Sequence, residues 1–347
     1  MNHSVTKGWT LLLVLLVFSA ATVFFVPSSD KMMSSSDAPL SEKKLYVDMA
    51  QSVLRINDNV NTEIFDLPKF FILPMDLSPA PKPDPSRFTE DSYEDDTIKV
   101  KCWRERIEFK NKTVTANFAD VVIAHPSQLR TAFAGGSYGT SKRTHASKMA
   151  EANNAVIAIN ADFYNCRTDG LIIRQGTLYR KKPFGIDTLF IDSQGDFSIV
   201  RDYYAINTEY FVKNEIYQTI VFGPVLVDNG KAIKKLEGFN SITCAPRGYN
   251  PRTAIGQIGK LHYLLCTVDG RSDVSIGVTT NELADIMAEK NCRIAYNLDG
   301  GQSSTMIFNN KLYNVVSDGG ERWMSDILYF ATSVPESEWN GEFGSMR

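Results

Sequence analysis

From residue 97 onward the chain alternates short apolar runs with turn residues, at a spacing that fits β-hairpins. Apolar and β-branched residues fill 98–109 and 113–123 on either side of Asn111-Lys112, 171–179 around Gln175-Gly176, and 188–200 around Gln194-Gly195. The same texture covers 221–233 around Asn229-Gly230, 253–268 around Gly259-Lys260 and 304–316 around Asn309-Asn310, and a last strand runs over 326–332. Asn-Gly suits the positive φ angles of a type I′ turn, so 229–230 predicts a tight hairpin. Helical spacing is confined to two stretches of this region. Residues 140–153 place Ala146, Met149 and Ala150 on one stripe. Residues 279–290 open with Thr279 and Glu282 at capping-box spacing and continue with Leu283, Ile286 and Met287 on one face. Many hairpins and few helices predict an α+β domain: a mixed, hairpin-rich β-sheet core with a few packed helices.

The first third reads differently. Residues 9–26 carry no charge and follow Lys7, a length that suits a short membrane span. Ser19-Ala20-Ala21 offers small residues, but Val23-Phe24-Phe25-Val26 follows and spoils a clean cleavage site. An uncleaved signal-anchor over 1–30 is therefore favoured, with the main body outside the cytoplasm; a cleaved segment would make the protein secreted. Residues 31–96 read as a stalk rich in Pro, Ser and acidic residues. In it Leu45, Met49 and Val53 share one face of a short helix, and Pro68, Pro74, Pro79, Pro81, Pro83 and Pro85 interrupt regular structure. The main domain is placed at 97–335 and a tail at 336–347.

Composition narrows the function classes without choosing one. The 347 residues are 43% hydrophobic and 22% charged, as in an ordinary globular chain. A net charge of −3 without a Lys/Arg run gives no reason to expect nucleic acid. Of the five cysteines, Cys102, Cys166 and Cys244 lie near turns and could pair, whereas Cys266 sits in an apolar run and reads as core. None of them, with Cys292, has zinc-site spacing. Dinucleotide and P-loop motifs are absent from the sequence, and no cofactor is expected. Acidic loops beside hydroxyls leave room for a hard divalent cation such as calcium, without marking its ligands.

The densest chemistry lies in Asn297-Leu298-Asp299-Gly300-Gly301-Gln302-Ser303-Ser304-Thr305-Met306. One carboxylate, two glycines and three hydroxyls follow an apolar run, a composition suited to acid–base work beside an anion. Four further segments put polar groups where a strand meets a loop: Asn160-Ala161-Asp162, Arg252 at a strand start, Asp269-Gly270-Arg271 at a strand end, and Asp318-Gly319-Gly320-Glu321-Arg322 before the last strand. Strand-end loops can converge on one rim of a sheet. Each also has a purely structural reading: Arg252 as a strand cap, Asp269 with Arg271 as an ion pair bracing a turn, Asn160 as a turn residue. His262, inside an apolar run, reads as a satisfied sheet-face histidine.

Together and in order, NADFY, DGLIIRQGTLY, FGPVLVDNGK, PRTAIG, VDGRS, SIGVTTNELADIM, NLDGGQSSTM, NNKLYN and SDGGERWMSDILYF resemble the phosphodiester glycosidase family from about residue 115 to 333. Its eukaryotic member removes N-acetylglucosamine from phosphodiester-covered mannose 6-phosphate, and bacterial members are associated with exopolysaccharide. The chain departs from the family pattern at Ala161 and Gln302, where the family carries glycine. The resemblance implies hydrolysis of a sugar-1-phosphodiester in cell-envelope or exported polysaccharide. Arg252, Arg271 and Arg322 are then candidates for phosphate contact, with Gly300 and Gly301 amides and Ser303 and Ser304 hydroxyls as neutral donors and Asn160 beside the sugar. Asp299 and Asp269 lead the catalytic candidates, followed by Asp162 and Glu321. Two alternatives stay open: a non-catalytic glycan-binding module, and an enzyme on the same fold that cleaves the P–O bond.

Overall fold

The computed structural model describes residues 72–139, 141–182, 185–200, 216–233 and 248–334 of the protein. All of them belong to one compact unit, Gln51–Arg347. The signal-anchor, the stalk helix and the tail lie outside the described residues.

The first half of the chain supplies β1 (Ser92–Glu94), β2 (Ile98–Phe109), β3 (Lys112–Ile123), β4 (Leu129–Phe133), helix α1 (Ala146–Ala152), β5 (Ile157–Asn160), β6 (Gly170–Arg174), β7 (Thr177–Lys182), β8 (Thr188–Asp192) and β9 (Phe197–Val200). The second half adds β10 (Ile216–Ile220), β11 (Val225–Asp228), β12 (Lys231–Ala232), β13 (Arg252–Gly259), β14 (His262–Val268), helix α2 (Thr280–Glu289), β15 (Ile294–Asn297), β16 (Met306–Phe308), β17 (Lys311–Leu312) and β18 (Asp326–Phe330). The hairpins fall at the turn residues the sequence marks. Asn229 and Gly230 take φ of 49° and 74°, and Asn309 and Asn310 take 49° and 58°. Helix α2 carries its capping box, Thr279 accepting the Glu282 amide and Glu282 accepting the Thr279 amide. Helix α1 is shorter than its expected 140–153 and begins at Ala146.

Two sheets form the body. One has the order β1-β2-β3-β14-β13-β15-β11-β12, the other β17-β16-β5-β18-β4, and every pairing within them is antiparallel among the described residues. Side-chain alternation explains the layering, since successive residues of a strand face opposite sides. On β3, Ala119, Val121 and Ile123 join Ile157, Ile159, Leu328 and Phe330 of the second sheet in a core between the sheets. On the opposite face Val114, Ala116 and Phe118 pack with Leu283, Ile286 and Met287 of α2. Likewise Ala158, Ile327 and Tyr329 turn outward to meet Ala146, Met149 and Ala150 of α1. The central strands are thus covered on both faces, which is why they read as nearly continuous apolar runs. The layers run α2, large sheet, small sheet, α1.

The boundary expected at residue 97 moves upstream. Strand β1 pairs with β2, and Leu73 and Ala80 are buried beside α1. The segment 73–80 is tied down by backbone contacts: Arg130 donates to the carbonyls of Pro74, Asp76 and Ser78 at 3.0, 2.9 and 3.2 Å. Leu73 N–H donates to Ser127 Oγ at 3.1 Å. An extended proline-rich strap packs through its backbone and shows no hydrophobic period.

Candidate active site

Antiparallel pairing brings the C-terminal ends of β5, β14 and β15 and the starts of β13 and β18 to one rim. In the register Arg252 faces Val268, Ala254 faces Asn297, and Asn160 faces Ile327. The two sheets are stitched together there by Asn160. Its Nδ2 donates to the carbonyl of Asp299 at 2.6 Å, and its Oδ1 accepts from Thr253 Oγ1 at 2.8 Å and the Thr305 amide at 3.1 Å. Asn160 is buried with its amide engaged inside the protein, which fits a cross-link between loops.

Asp299 opens the loop after β15. Its amide donates to the Ala161 carbonyl at 3.2 Å, and its Oδ1 accepts from the Gly300 amide at 2.9 Å. The Oδ2 atom is buried without a hydrogen-bond partner. Burial raises the pKa of this carboxyl; the Ser303 hydroxyl, Arg322, the Gly300 amide and Arg167 oppose the shift without cancelling it. Arg322 Nη1 reaches Ser303 Oγ at 3.3 Å, and its guanidinium lies 4.6 Å from the Phe163 ring centre. Arg143 lies 5.3 Å from the same ring. Phe163 has a left-handed backbone (φ 51°), a conformation that costs a side-chain-bearing residue about 1–2 kcal/mol. Ala161, where the family carries glycine, is not at positive φ; the left-handed position of this loop falls two residues later.

Other expected donors serve the loop itself. The Gly301 amide donates to the Pro251 carbonyl at 2.9 Å, and the Ser303 and Ser304 amides to the carbonyls of Gly300 and Gly301 at 3.2 and 3.0 Å. Gly301 has φ 64°, the left-handed region that favours glycine; a Cβ there would come within 2.8 Å of Arg271 Nη2, the movable end of a long side chain. Arg271 pairs with Asp318 and reaches Asn250 Oδ1 at 3.2 Å; it does not pair with Asp269. Gln302 donates to the Gly320 carbonyl at 3.3 Å, bridging the Asp299 loop to the turn before β18. The Ser304 hydroxyl is buried without a partner. Arg252 is buried and donates to the carbonyls of Val278 at 3.1 Å and Gly248 at 2.9 Å.

The remaining carboxylates separate. Asp269 accepts from Asn117 Nδ2 at 2.8 Å and the Val315 amide at 3.3 Å, and burial pushes it up to about 6. Glu321 receives the Ser147 amide at 3.0 Å and its hydroxyl at 2.5 Å, so it closes the first turn of α1 instead of facing Asp299. Asp162 is fully buried in a charge cluster the sequence gives no sign of. Arg174 Nη2 stands 3.2 Å from Asp162 and 3.0 Å from Asp326, and Arg167 Nη2 lies 4.0 Å from Asp162. Burial acts to raise Asp162, but Arg174 and Arg167 outweigh it and hold the carboxyl low; burial and the Asp162 charge push Asp326 up to about 7. Asp326 is thus the member that takes up a proton first.

Arg143, Arg167 and Asp326 are absent from the sequence-based selection. Arg143 precedes α1 and Arg167 lies in the loop after β5; Arg167 joins Arg322 beside Asp299, and all three arginines act on the exposed Cys166. Arg167 lies three residues after NADFY, a proximity that spacing alone does not weight. Cys102, Cys166, Cys266 and Cys292 are all free thiols; Cys244 lies outside the described residues. Among the described residues no group of three or more His, Cys, Asp or Glu is arranged to hold a metal ion. His262 Nε2 meets Asp120 Oδ2 at 2.8 Å across β14 and β3, the sheet-face role expected of it.

A family model described as phosphodiester glycosidase matches residues 153–331. A curated relative, the SPbeta prophage-derived uncharacterized protein YomE of Bacillus subtilis (strain 168), is 24% identical over 262 residues, covering 74% of this chain. The matched region spans 40% of that relative's length. Among solved structures, the zebrafish N-acetylglucosamine-1-phosphodiester alpha-N-acetylglucosaminidase catalytic domain, auto-inhibited by its pro-peptide, superposes with a TM-score of 0.56 at 19% identity. That likeness of fold covers 73% of this chain and 87% of the zebrafish one.

Proposed function

The chain belongs to the phosphodiester glycosidase family and is a hydrolase acting on phosphodiester glycosides, and from that premise we propose that it cleaves the anomeric C–O bond of a sugar-1-phosphodiester. The observation that carries this reading is Asp299: a buried carboxyl with one unpartnered oxygen, beside Arg322, Arg167 and the Ser303 hydroxyl. Arginine is suited to the diester because its planar fork matches two phosphate oxygens. Arg322 and Arg143, both against the Phe163 ring, bind the phosphate, with Arg167 adding positive charge beneath it. A phosphate monoester leaves readily without protonation, so the chemical demand falls on attack at the anomeric carbon. Asp299 in its ionised form meets that demand by taking a proton from the attacking water. The new C–O bond forms as the bond to the phosphate oxygen breaks, and the products are the free sugar and a phosphate monoester.

The zebrafish relative is named for an N-acetylglucosamine-1-phosphodiester, which makes that sugar the first substrate to assay. We place the reaction outside the cytoplasm because of the charge-free stretch 9–26, and the family resemblance suggests cell-envelope or exported polysaccharide as the polymer. Asp299→Asn keeps the shape of the side chain and removes the base. We predict a loss of kcat of roughly a hundredfold or more toward a sugar-1-phosphodiester, with an unchanged circular-dichroism spectrum. Wild-type kcat/KM should fall on the acid side at a pH above the ordinary aspartate range, since burial raises this group. Full turnover in the asparagine variant would remove Asp299 from the chemistry.

A further inference from the structure

A groove of about 710 Å³ adjoins the site on the side of α1. Its floor is apolar, with Phe133 and Met149 among the contributors, and Leu77 and Pro79 of the strap form one wall. The opposite edge carries Lys142, Arg143 and Lys148, and no carboxylate lines the groove among the described residues. Glu151, outside it, pairs with Lys148 at 3.1 Å, which leaves Lys142 and Arg143 as the stronger positive edge. The wall is fixed: besides the Arg130 contacts to the strap, Ala80 N–H donates to the Asn153 carbonyl at 3.3 Å and Asn154 Nδ2 to the Ala80 carbonyl at 2.6 Å. Its volume is that of a site for a drug-sized ligand.

Arg143 connects this groove to the chemistry. It lines the groove and also lies against Phe163, whose ring bears Arg322, the residue hydrogen-bonded to Ser303 in the Asp299 loop. A phosphodiester held at Arg322 and Arg143 has two substituents, the sugar at the reacting carbon and the group beyond the phosphate. Only the second leads away from Asp299 toward Lys142. We propose that the groove binds this departing half of the substrate, and that the departing half carries a further negative charge, as in a chain of alditol phosphates. This deepens the hydrolase reading and rests on it for the identity of the ligand. Charge complementarity decides the class: a cationic edge without carboxylates selects an anion, and the apolar floor accommodates its carbon backbone.

The test uses the double variant Lys142→Ala/Lys148→Ala, which alters two exposed side chains outside the catalytic machinery. Two diesters of N-acetylglucosamine 1-phosphate are compared, one with methyl and one with glycerol 3-phosphate beyond the reacting phosphate. KM for the charged diester should rise roughly five- to tenfold, while that for the methyl diester stays within about twofold. In parallel, binding of a glycerol-phosphate trimer is followed by calorimetry, and the double variant should weaken it by a similar factor. Hydrolysis of both diesters with KM values the variant leaves alone would overturn the groove assignment and spare the hydrolase. Absence of turnover together with trimer binding that the variant abolishes would do the reverse. Trimer binding that is absent, or indifferent to the variant, overturns the groove assignment whatever the turnover.

Discussion

Asp269 shows how a buried carboxyl stores a cost that a single substitution can release. It is held at about 6 in the fold against an ordinary 3.8, chiefly by burial. The folded state therefore holds the proton more tightly than the unfolded one, and stability falls as pH rises from about 4 to about 6 and stays low above it. Asp269→Asn should stabilise the protein at pH 7.5 by on the order of 1–3 kcal/mol, with the gain shrinking as pH is lowered from 6 to 4. Thermal melts across that range check the sign, and a lower Tm at pH 7.5 would contradict it. Arg252 teaches the complementary lesson. Its place at a strand start was legible, but its guanidinium holds the carbonyls of Val278 and Gly248, which sequence cannot foresee. Arg143 and Arg167 escaped notice because no motif marks them: Arg143 meets Phe163 from another segment, and Arg167 meets Asp162 only through the shape of the loop after β5.

Elements were more legible than side-chain partners, because hairpins join residues close in sequence. Asn-Gly and Asn-Asn turns mark β11–β12 and β16–β17, and the Thr279–Glu282 box marks α2. Short strands flanked by loops, such as β4 and β10, left no comparable mark. The strap at 73–80 was invisible because its proline-rich backbone docks on Arg130 without any period. What holds the elements at the rim is Asn160, with a donor to one loop and an acceptor shared by Thr253 and Thr305. Asn160→Ala leaves those buried groups unsatisfied and should cost about 2–4 kcal/mol. Urea unfolding should show this as a lower midpoint, while KM under folding conditions changes little. A raised KM with unchanged stability would instead make Asn160 a sugar contact.

At the scale of the molecule, two packed sheets flanked by helices place the loops after β5 and β15 and before β18 on one rim, with Arg322 and Arg167 acting on Asp299. This layering explains how strand ends scattered from 160 to 322 reach one rim. The Asp162–Arg174–Asp326 cluster lies in the interior and ties the small sheet to Arg167 without facing solvent. The central claim is cleavage at the anomeric carbon, and it is tested most directly by hydrolysis of a sugar-1-phosphodiester in oxygen-18 water. Mass spectrometry of the products should find the label in the anomeric hydroxyl of the released sugar and none in the phosphate. Label in the phosphate monoester would show P–O cleavage and contradict the assignment.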